Sequence, residues 1–122
     1  MSKIYQPTKN NPYRLRDSVY QYTLWDIRSV GKYYQGHYEE AYMREYAPTA
    51  ETIEAVKVAL EEVPAEYREI VFDNIVNEVK FPDGYRNKKT SLQKAQFIYR
   101  VAELTGRPLG AREIVHIEYD WR

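Results

Sequence analysis

Residues 63–106 carry the clearest helix start and stop signals in the chain, and these signals constrain the fold more than any other sequence feature. Pro64 suits the first position of a helix, where its missing N–H costs nothing. The sequence Phe-Pro-Asp-Gly at 81–84 is typical of a turn that ends a helix. A second helical pattern follows, and Gly106 is placed to cap its C-terminus. The stretch therefore predicts two helices joined by a short basic loop.

A capping box predicts where the second of these helices begins. In the sequence Thr-Ser-Leu-Gln at 90–93, the Thr90 hydroxyl can accept from the Gln93 N–H while the glutamine side chain bonds back to the threonine. Arg86, Lys88 and Lys89 then belong to the loop before the helix. The predicted apolar faces are Tyr67, Ile70, Val71, Ile75 and Val79 on the first helix, and Leu92, Ala95, Ile98, Val101, Ala102 and Thr105 on the second.

Two earlier segments also repeat apolar residues at helical spacing. Asp17 or Ser18 can cap the first segment. Because Gly31 and Gly36 lower helix propensity, this segment is predicted either as one helix or as two helices with a break at residues 30–36. Its stripe consists of Tyr20, Leu24, Ile27, Gly31, Tyr34, Tyr38 and Tyr42, widened by Trp25 and Val30. The second segment, capped by Thr49, repeats Ile53, Val56, Leu60 and Val63.

The size of the chain and the composition of its two ends define the predicted organisation. A chain of 122 residues with 43% hydrophobic residues forms one domain with a single core. Residues 1–12 are polar and predict a flexible arm, and residues 13–106 form a single helical domain. Residues 107–122 alternate apolar and polar side chains, which predicts an extended tail that pairs with the arm, docks on the helices or joins another subunit. The fold class is predicted as all-α, with four or five helices.

The residue inventory excludes several classes of chemistry. No cysteine is present, so disulfides and thiolate metal sites are excluded. No run approaches the ~18 apolar residues of a membrane span, and the N-terminal sequence has no apolar signal-peptide core. These features predict a cytoplasmic protein with no membrane partner.

Catalytic patterns are also missing from the sequence. His37 and His116 are the only histidines, and neither a nucleophile elbow nor a phosphate-binding glycine loop is present. His37 and Glu40 are three residues apart and could share a face of a predicted helix, but two ligands do not make a metal site. The adjacent Tyr33 and Tyr34 are similar to the tyrosine pair of strand-nicking enzymes, which also require a histidine cluster. We therefore predict no enzyme activity, no catalytic residue, no cofactor and no metal.

Charge is balanced over the whole chain but segregated along it. Eighteen Lys and Arg residues balance eighteen Asp and Glu residues. Residues 47–80 contain three basic and eight acidic residues, whereas residues 81–112 contain seven basic and two acidic residues. A local basic field of this kind can attract a polyanion. An ordinary solvated helical surface is the alternative interpretation.

The basic segment after residue 81 holds the candidate DNA contacts. Arg86, Lys88 and Lys89 precede a helix N-terminus, whose free N–H groups attract phosphate. Gln93, Gln96 and Arg100 recur at spacings of three and four, and glutamine and arginine pair with adenine and guanine edges. The predicted DNA-binding residues are Arg86, Lys88, Lys89, Ser91, Gln93, Lys94, Gln96 and Arg100.

Tyrosine is abundant, with thirteen residues in the chain. Tyrosines at helical spacing can stack on nucleic-acid bases, but such a stripe more often packs against other helices. The same stripe can form a subunit interface, where tyrosine is enriched. The alternative to DNA binding is therefore a non-catalytic assembly protein that oligomerises through this helix and the C-terminal strand.

Short motifs along about two thirds of the chain resemble one protein family. These motifs are Val-Pro-Ala-Glu-Tyr-Arg-Glu at 63–69, Phe-Pro-Asp at 81–83, Gln-Phe-Ile-Tyr-Arg-Val-Ala at 96–102, and the N-terminal helix at 13–28. They are similar to the RinA/ArpU-like late transcription regulators of phages and prophages of Gram-positive bacteria. The resemblance implies a C-terminal helix-turn-helix like the fourth region of sigma factors, with double-stranded DNA and host RNA polymerase as partners.

One departure from that family pattern concerns the helix-turn-helix itself. A module of this kind has a short helix and a tight turn before the recognition helix. Residues 80–89 contain proline and glycine and leave no room for a helix of ordinary length. We therefore predict a degenerate helix-turn-helix, and the tail from residue 107 onward is additional to the family pattern.

Overall fold

The computed structural model describes residues 13–35 and 47–109 of the chain. Four helices lie in these ranges: α1 (Asp17–Tyr34), α2 (Ala50–Glu62), α3 (Ala65–Asn77) and α4 (Lys88–Leu104). The all-α prediction is confirmed, because these ranges contain helices and no strand. The predicted arm at 1–12, the pair His37 and Glu40, and the alternating tail from residue 110 lie outside the described residues.

One hydrophobic core joins the four helices. Each helix contributes at least one fully buried apolar side chain, namely Ile27, Val56, Ile75 and Phe97 from α1 to α4 in turn. Burial of each side chain of this size stabilises the folded protein by about 1.5–3 kcal/mol. Each of the four helices packs against the other three. No helix within the two described ranges is both long and apolar enough to cross a membrane.

Helix α1 passes through Gly31 without a break and ends at Tyr34. Gly31 is buried against α3, where a Cβ atom would lie 2.4 Å from Cγ2 of Val76. The glycine therefore permits a close approach of two helices, and it does not interrupt the first one. The N-cap position of α1 is Arg16, not Asp17 or Ser18, and its side chain makes no capping hydrogen bond.

Residues 63–64 connect α2 and α3 in a tight turn. Thr49 caps α2 with its hydroxyl, as predicted. Pro64 was predicted as the first helical residue of α3 but lies at its N-cap, so the helix begins one residue later, at Ala65. Arg68 closes the turn from α3, because its guanidinium donates to the carbonyls of Val63 at 2.7 Å and Glu61 at 2.8 Å.

Helix α4 begins three residues earlier than the capping box predicted. The N-cap is Asn87, whose Oδ1 accepts from the Thr90 N–H at 3.0 Å. Thr90 is fully buried, and its hydroxyl lies 3.1 Å from the same oxygen. The prediction of Thr90 as the N-cap is therefore wrong. A buried hydroxyl requires a partner, and Asn87 provides one. Lys88 and Lys89 consequently belong to the first turn of the helix and not to the loop.

The C-terminus of α4 confirms the role predicted for Gly106. This glycine adopts φ +78°. Its N–H donates to the Glu103 carbonyl at 3.1 Å, and the Arg107 N–H donates to the Ala102 carbonyl at 3.0 Å. These two bonds form a Schellman motif, which satisfies carbonyls at the end of the helix. Leu109 packs against the core, so the first residues of the predicted tail contact the bundle.

Four described residues that were assigned to helical stripes are instead exposed, and Tyr34, at 62%, is the most exposed of them. Trp25 is 51% exposed, since it points about 200° away from the buried Ile27 on α1. Val79 is 47% exposed because α3 ends at Asn77, where Glu78 adopts φ +56°. Leu92 is 40% exposed and lies on the side of α4 opposite the buried Val101 and Phe97.

The Gly31 contact predicts a specific stability change. We expect Gly31→Ala to lower the free energy of unfolding by about 1–3 kcal/mol, because the new methyl group overlaps Val76. The higher helix propensity of alanine opposes this effect by at most about 1 kcal/mol. In a Val76→Ala background the same substitution should be less destabilising, because only the Cβ atom of residue 76, at 3.0 Å, remains close to the new methyl group. Urea unfolding of the four proteins measures both effects, and equal effects in the two backgrounds would contradict the close approach.

The N-cap assignment predicts a difference between two substitutions in α4. We expect Asn87→Ala to lower the free energy of unfolding by about 1 kcal/mol, because the Thr90 N–H loses its acceptor. Gln93→Ala serves as the control, since Gln93 would matter equally if a capping box were formed, and we expect a change within about 0.5 kcal/mol. Thermal or urea unfolding measures both changes. A larger effect of Gln93→Ala than of Asn87→Ala would show that Thr90 and Gln93 form the capping box and that Asn87 is not the main cap.

Candidate nucleic-acid interface

A fixed connector at residues 78–87 joins α3 to α4 and contains no helix. A tight turn forms within it, where the Tyr85 N–H donates to the Pro82 carbonyl at 2.9 Å. Arg86 Nε donates to the Phe81 carbonyl at 2.9 Å, and Asn87 Nδ2 donates to the carbonyl of Gly84 at 3.1 Å. The connector therefore holds its shape through its own side chains.

Two side chains of α3 attach the connector to the bundle. Asn74 Nδ2 donates to the Val79 carbonyl at 3.0 Å. The rings of Tyr67 and Tyr85 meet edge to face with centroids 6.0 Å apart. These contacts hold the connector against α3, so the N-terminus of α4 has a defined position. The connector contains no helix that could act as the supporting helix of a helix-turn-helix.

The N-terminus of α4 brings together the basic residues nearest the connector. Lys88, Lys89 and Ser91 are exposed in its first turn. Within the described part of the chain, Lys88 and Lys89 have no ion-pair partner. Arg86 is also exposed, and its Nη1 lies 3.5 Å from Asp83 Oδ1. Such an exposed pair contributes little, so most of the positive charge here is available to a ligand.

The second group of predicted contact residues lines a groove between α2 and α4. Gln93, Gln96 and Arg100 lie on one side of α4, where Ala59 and Tyr13 face them across a cavity of about 270 Å³. Gln96 Nε2 donates to the Tyr13 hydroxyl at 3.0 Å. Gln96 is thus already engaged within the protein. A base contact by this side chain would require the loss of that bond.

Arg100 is held by two carboxylates. Its Nε donates to Glu62 Oε1 at 2.8 Å, and its Nη1 pairs with Glu103. The hydrogen bonds to Glu62 and Glu103 raise the pKa of the Arg100 guanidinium. The two ion pairs neutralise the charge that was expected to contact DNA. Arg100 therefore bridges α2 and α4 in the structure.

Lys94 lies apart from both groups. Its side chain is half-buried towards α1, although the sequence pattern placed it off the apolar face. Burial lowers the pKa of Lys94, and the positive charge of Arg28 lowers it further. Arg28 itself donates from Nε to the Ile75 carbonyl at 3.0 Å and lies 3.8 Å from Glu78. Lys94 is therefore separate from the cluster at the N-terminus of α4.

Sequence reasoning missed the residues that engage this surface from other helices. Tyr13 and Glu62 bond to Gln96 and Arg100 across sequence separations of 83 and 38 residues. Periodicity along one helix contains no signal for such partners, because they are determined by how helices pack. Within the described residues, no group of three or more histidine, cysteine, aspartate or glutamate side chains is arranged to hold a metal ion.

Comparisons with known proteins add no relative. Searches against protein-family models, curated proteins and solved structures give no significant match to this chain. The resemblance to late phage regulators therefore remains a prediction from short motifs, and the function must be argued from the chain's own surfaces.

Proposed function

We propose that this protein is a phage-type transcriptional regulator that binds double-stranded DNA through the N-terminus of α4. The observation that carries the proposal is the exposed basic cluster formed by Lys88 and Lys89 in the first turn of α4 with Arg86 on the adjoining connector. Lysine and arginine side chains beside free helix N–H groups are the usual partners of phosphate oxygens.

Backbone geometry supports phosphate contact at this position. Asn87 accepts from the Thr90 N–H, and the first intrahelical bond runs from the Ser91 N–H to the Asn87 carbonyl at 3.2 Å. The N–H groups of Lys88 and Lys89 therefore lie outside the intrahelical pattern. The positive end of the helix dipole adds to the two lysine charges. All of these contributions favour an anion.

In this proposal, fewer side chains contact bases than the sequence predicted. Gln93 lies one turn beyond the lysines at the edge of the groove and is partly exposed. Its amide can pair with the N6 and N7 atoms of adenine in a major groove. Gln96 and Arg100 retain their contacts with Tyr13 and Glu62 and contribute by positioning α4. Host RNA polymerase enters the proposal as a partner on the resemblance alone. A cytoplasmic location enters it because the sequence has no cysteine and no apolar run of membrane-spanning length.

The DNA contact is tested by the salt dependence of binding. We expect Lys88→Gln with Lys89→Gln to weaken binding to every duplex sequence, since phosphate contacts carry no sequence information. The slope of log affinity against log salt should become less steep by about 1.8, or about 0.9 for each lost phosphate contact. Fluorescence anisotropy with a labelled duplex over a series of salt concentrations measures both quantities.

Lys57→Gln is the matched control for this experiment, because Lys57 is an exposed lysine on α2. It should leave both the affinity and the slope close to those of the parent. A parent protein that does not bind duplex DNA at low salt would contradict the proposed function. A double variant with the parent's slope would show that these lysines are not the contact.

A second candidate function, assembly through α1, is favoured by a specific observation. Tyr22 is 65% exposed and Tyr34 is 62% exposed, and Trp25 and Tyr33 are exposed on the same helix. Aromatic side chains of this size are enriched at the centres of protein interfaces. This arrangement supports an oligomer built on the tyrosine-rich helix.

Assembly through α1 predicts a solution oligomer that depends on these rings. We expect Tyr22→Ser with Trp25→Ser to weaken self-association by at least about tenfold, because hot-spot aromatics carry much of the binding energy. Val79→Ser, an exposed apolar position on the connector, is the control and should have no effect. Sedimentation equilibrium measures the association. A parent that remains monomeric at high concentration and moderate salt would contradict this candidate.

A further inference from the structure

A second groove lies between the N-terminal half of α2 and the C-terminal end of α4. It has a volume of about 550 Å³ and is open to solvent. Val58 and the 39% exposed Leu104 provide its apolar surface, and small alanine side chains keep it shallow. Its lining residues are Ala50, Glu51, Glu54, Ala55, Val58 and Leu104. We refer to this second site, which is distinct from the groove lined by Gln93 and Gln96, as the α2–α4 groove.

The edge of the α2–α4 groove is acidic. Glu51 and Glu54 are exposed, and within the described residues neither has an ion-pair partner. The last turn of α4 contains no basic residue, and its carbonyl end adds partial negative charge. The dipole of α2 explains an acidic residue in its first turn, but it does not explain an apolar surface beside that residue. The groove therefore repels polyanions and favours a cationic, partly apolar ligand.

The chain itself presents a surface of that chemistry at the other end of α4. Leu92 is 40% exposed on the polar side of α4. Lys88 and Lys89 precede it by four and three residues, so the three side chains lie on adjoining positions of the helix surface. This surface, which we call the α4 basic knob, combines one apolar side chain with two lysine charges.

We propose that the α4 basic knob of one copy docks into the α2–α4 groove of a second copy. Leu92 packs against Val58 and Leu104, and the lysines face Glu51 and Glu54. The contact joins different surfaces of the two copies, so it is head-to-tail and can repeat along a chain of molecules. It uses the same lysines as the proposed DNA contact, although it does not require DNA binding. Self-association and DNA binding therefore exclude each other at each knob.

The affinity expected for this contact is low. One aliphatic side chain and two exposed charge pairs make an interface below the ~1,200 Å² of stable complexes. Charge pairs between exposed residues weaken as salt is added. Association through the aromatic rings of α1 would not show that weakening, so salt dependence separates the two modes of assembly.

Charge exchange between the two surfaces tests the proposal. We expect the parent to self-associate at protein concentrations between about 10 µM and about 1 mM at low salt, the range of weak complexes. Glu51→Lys with Glu54→Lys, and separately Lys88→Glu with Lys89→Glu, should each weaken association at least about tenfold. An equimolar mixture of the two variants should regain it, because each then meets a surface of opposite charge. Sedimentation equilibrium provides the readout.

Two further variants make the result decisive. Glu66→Lys with Glu69→Lys places the same charge change on exposed positions of α3 and should leave association unchanged. Leu92→Ser changes no charge and should also weaken association about tenfold. Circular dichroism of each variant establishes that it is folded.

Several outcomes would overturn the proposal. They are a parent that stays monomeric throughout the concentration range, a mixture that fails to associate, and association that survives the groove substitutions. The result is independent of the DNA experiment, because Glu51→Lys with Glu54→Lys keeps both knob lysines and should retain DNA binding. A parent protein that does not bind DNA would contradict the proposed function, but it would leave this test of self-association unaffected.

Discussion

The close approach of α1 and α3 at Gly31 is the constraint on which the rest of the structure depends. Val76 fills the space that a side chain at position 31 would occupy. With the helices this close, Arg28, one turn earlier on α1, reaches the Ile75 carbonyl near the end of α3. The end of α3 is thereby fixed against α1. The connector begins from that fixed end, and Glu78 turns the chain with its left-handed backbone.

The connector determines how α4 meets a ligand. A helix-turn-helix protein presents the side of its recognition helix to the major groove. Here the side of α4 that carries Gln96 and Arg100 is occupied by Tyr13 and Glu62, and the free charge is concentrated at the tip of the helix. The accessible chemistry is therefore that of a helix end, which suits backbone phosphates better than base edges.

Local signals in the sequence predicted much of the fold. Apolar spacing identified all four helices, and Thr49 and Gly106 act as predicted because each cap depends on bonds within a few residues. The start predicted for α4 was wrong because Asn87 and Thr90 can both cap a helix. Burial of Thr90 in the core decides between them, and that burial is a tertiary property. The same reason applies to the candidate site, since a helical pattern assigns Gln93, Gln96 and Arg100 to one side without identifying what covers it.

The separation of charge along α4 has a consequence for how this molecule approaches other molecules. The lysines lie at its first turn, whereas Glu103, Glu51 and Glu54 lie around its last turn, about 22 Å away along the axis. The peptide dipoles of α4 point the same way as the side-chain charges. Side-chain charge and peptide dipoles along α4 therefore add to one another, with the positive end at the first turn. In the field of a polyanion this dipole favours the orientation in which the lysines of α4 point towards the polyanion.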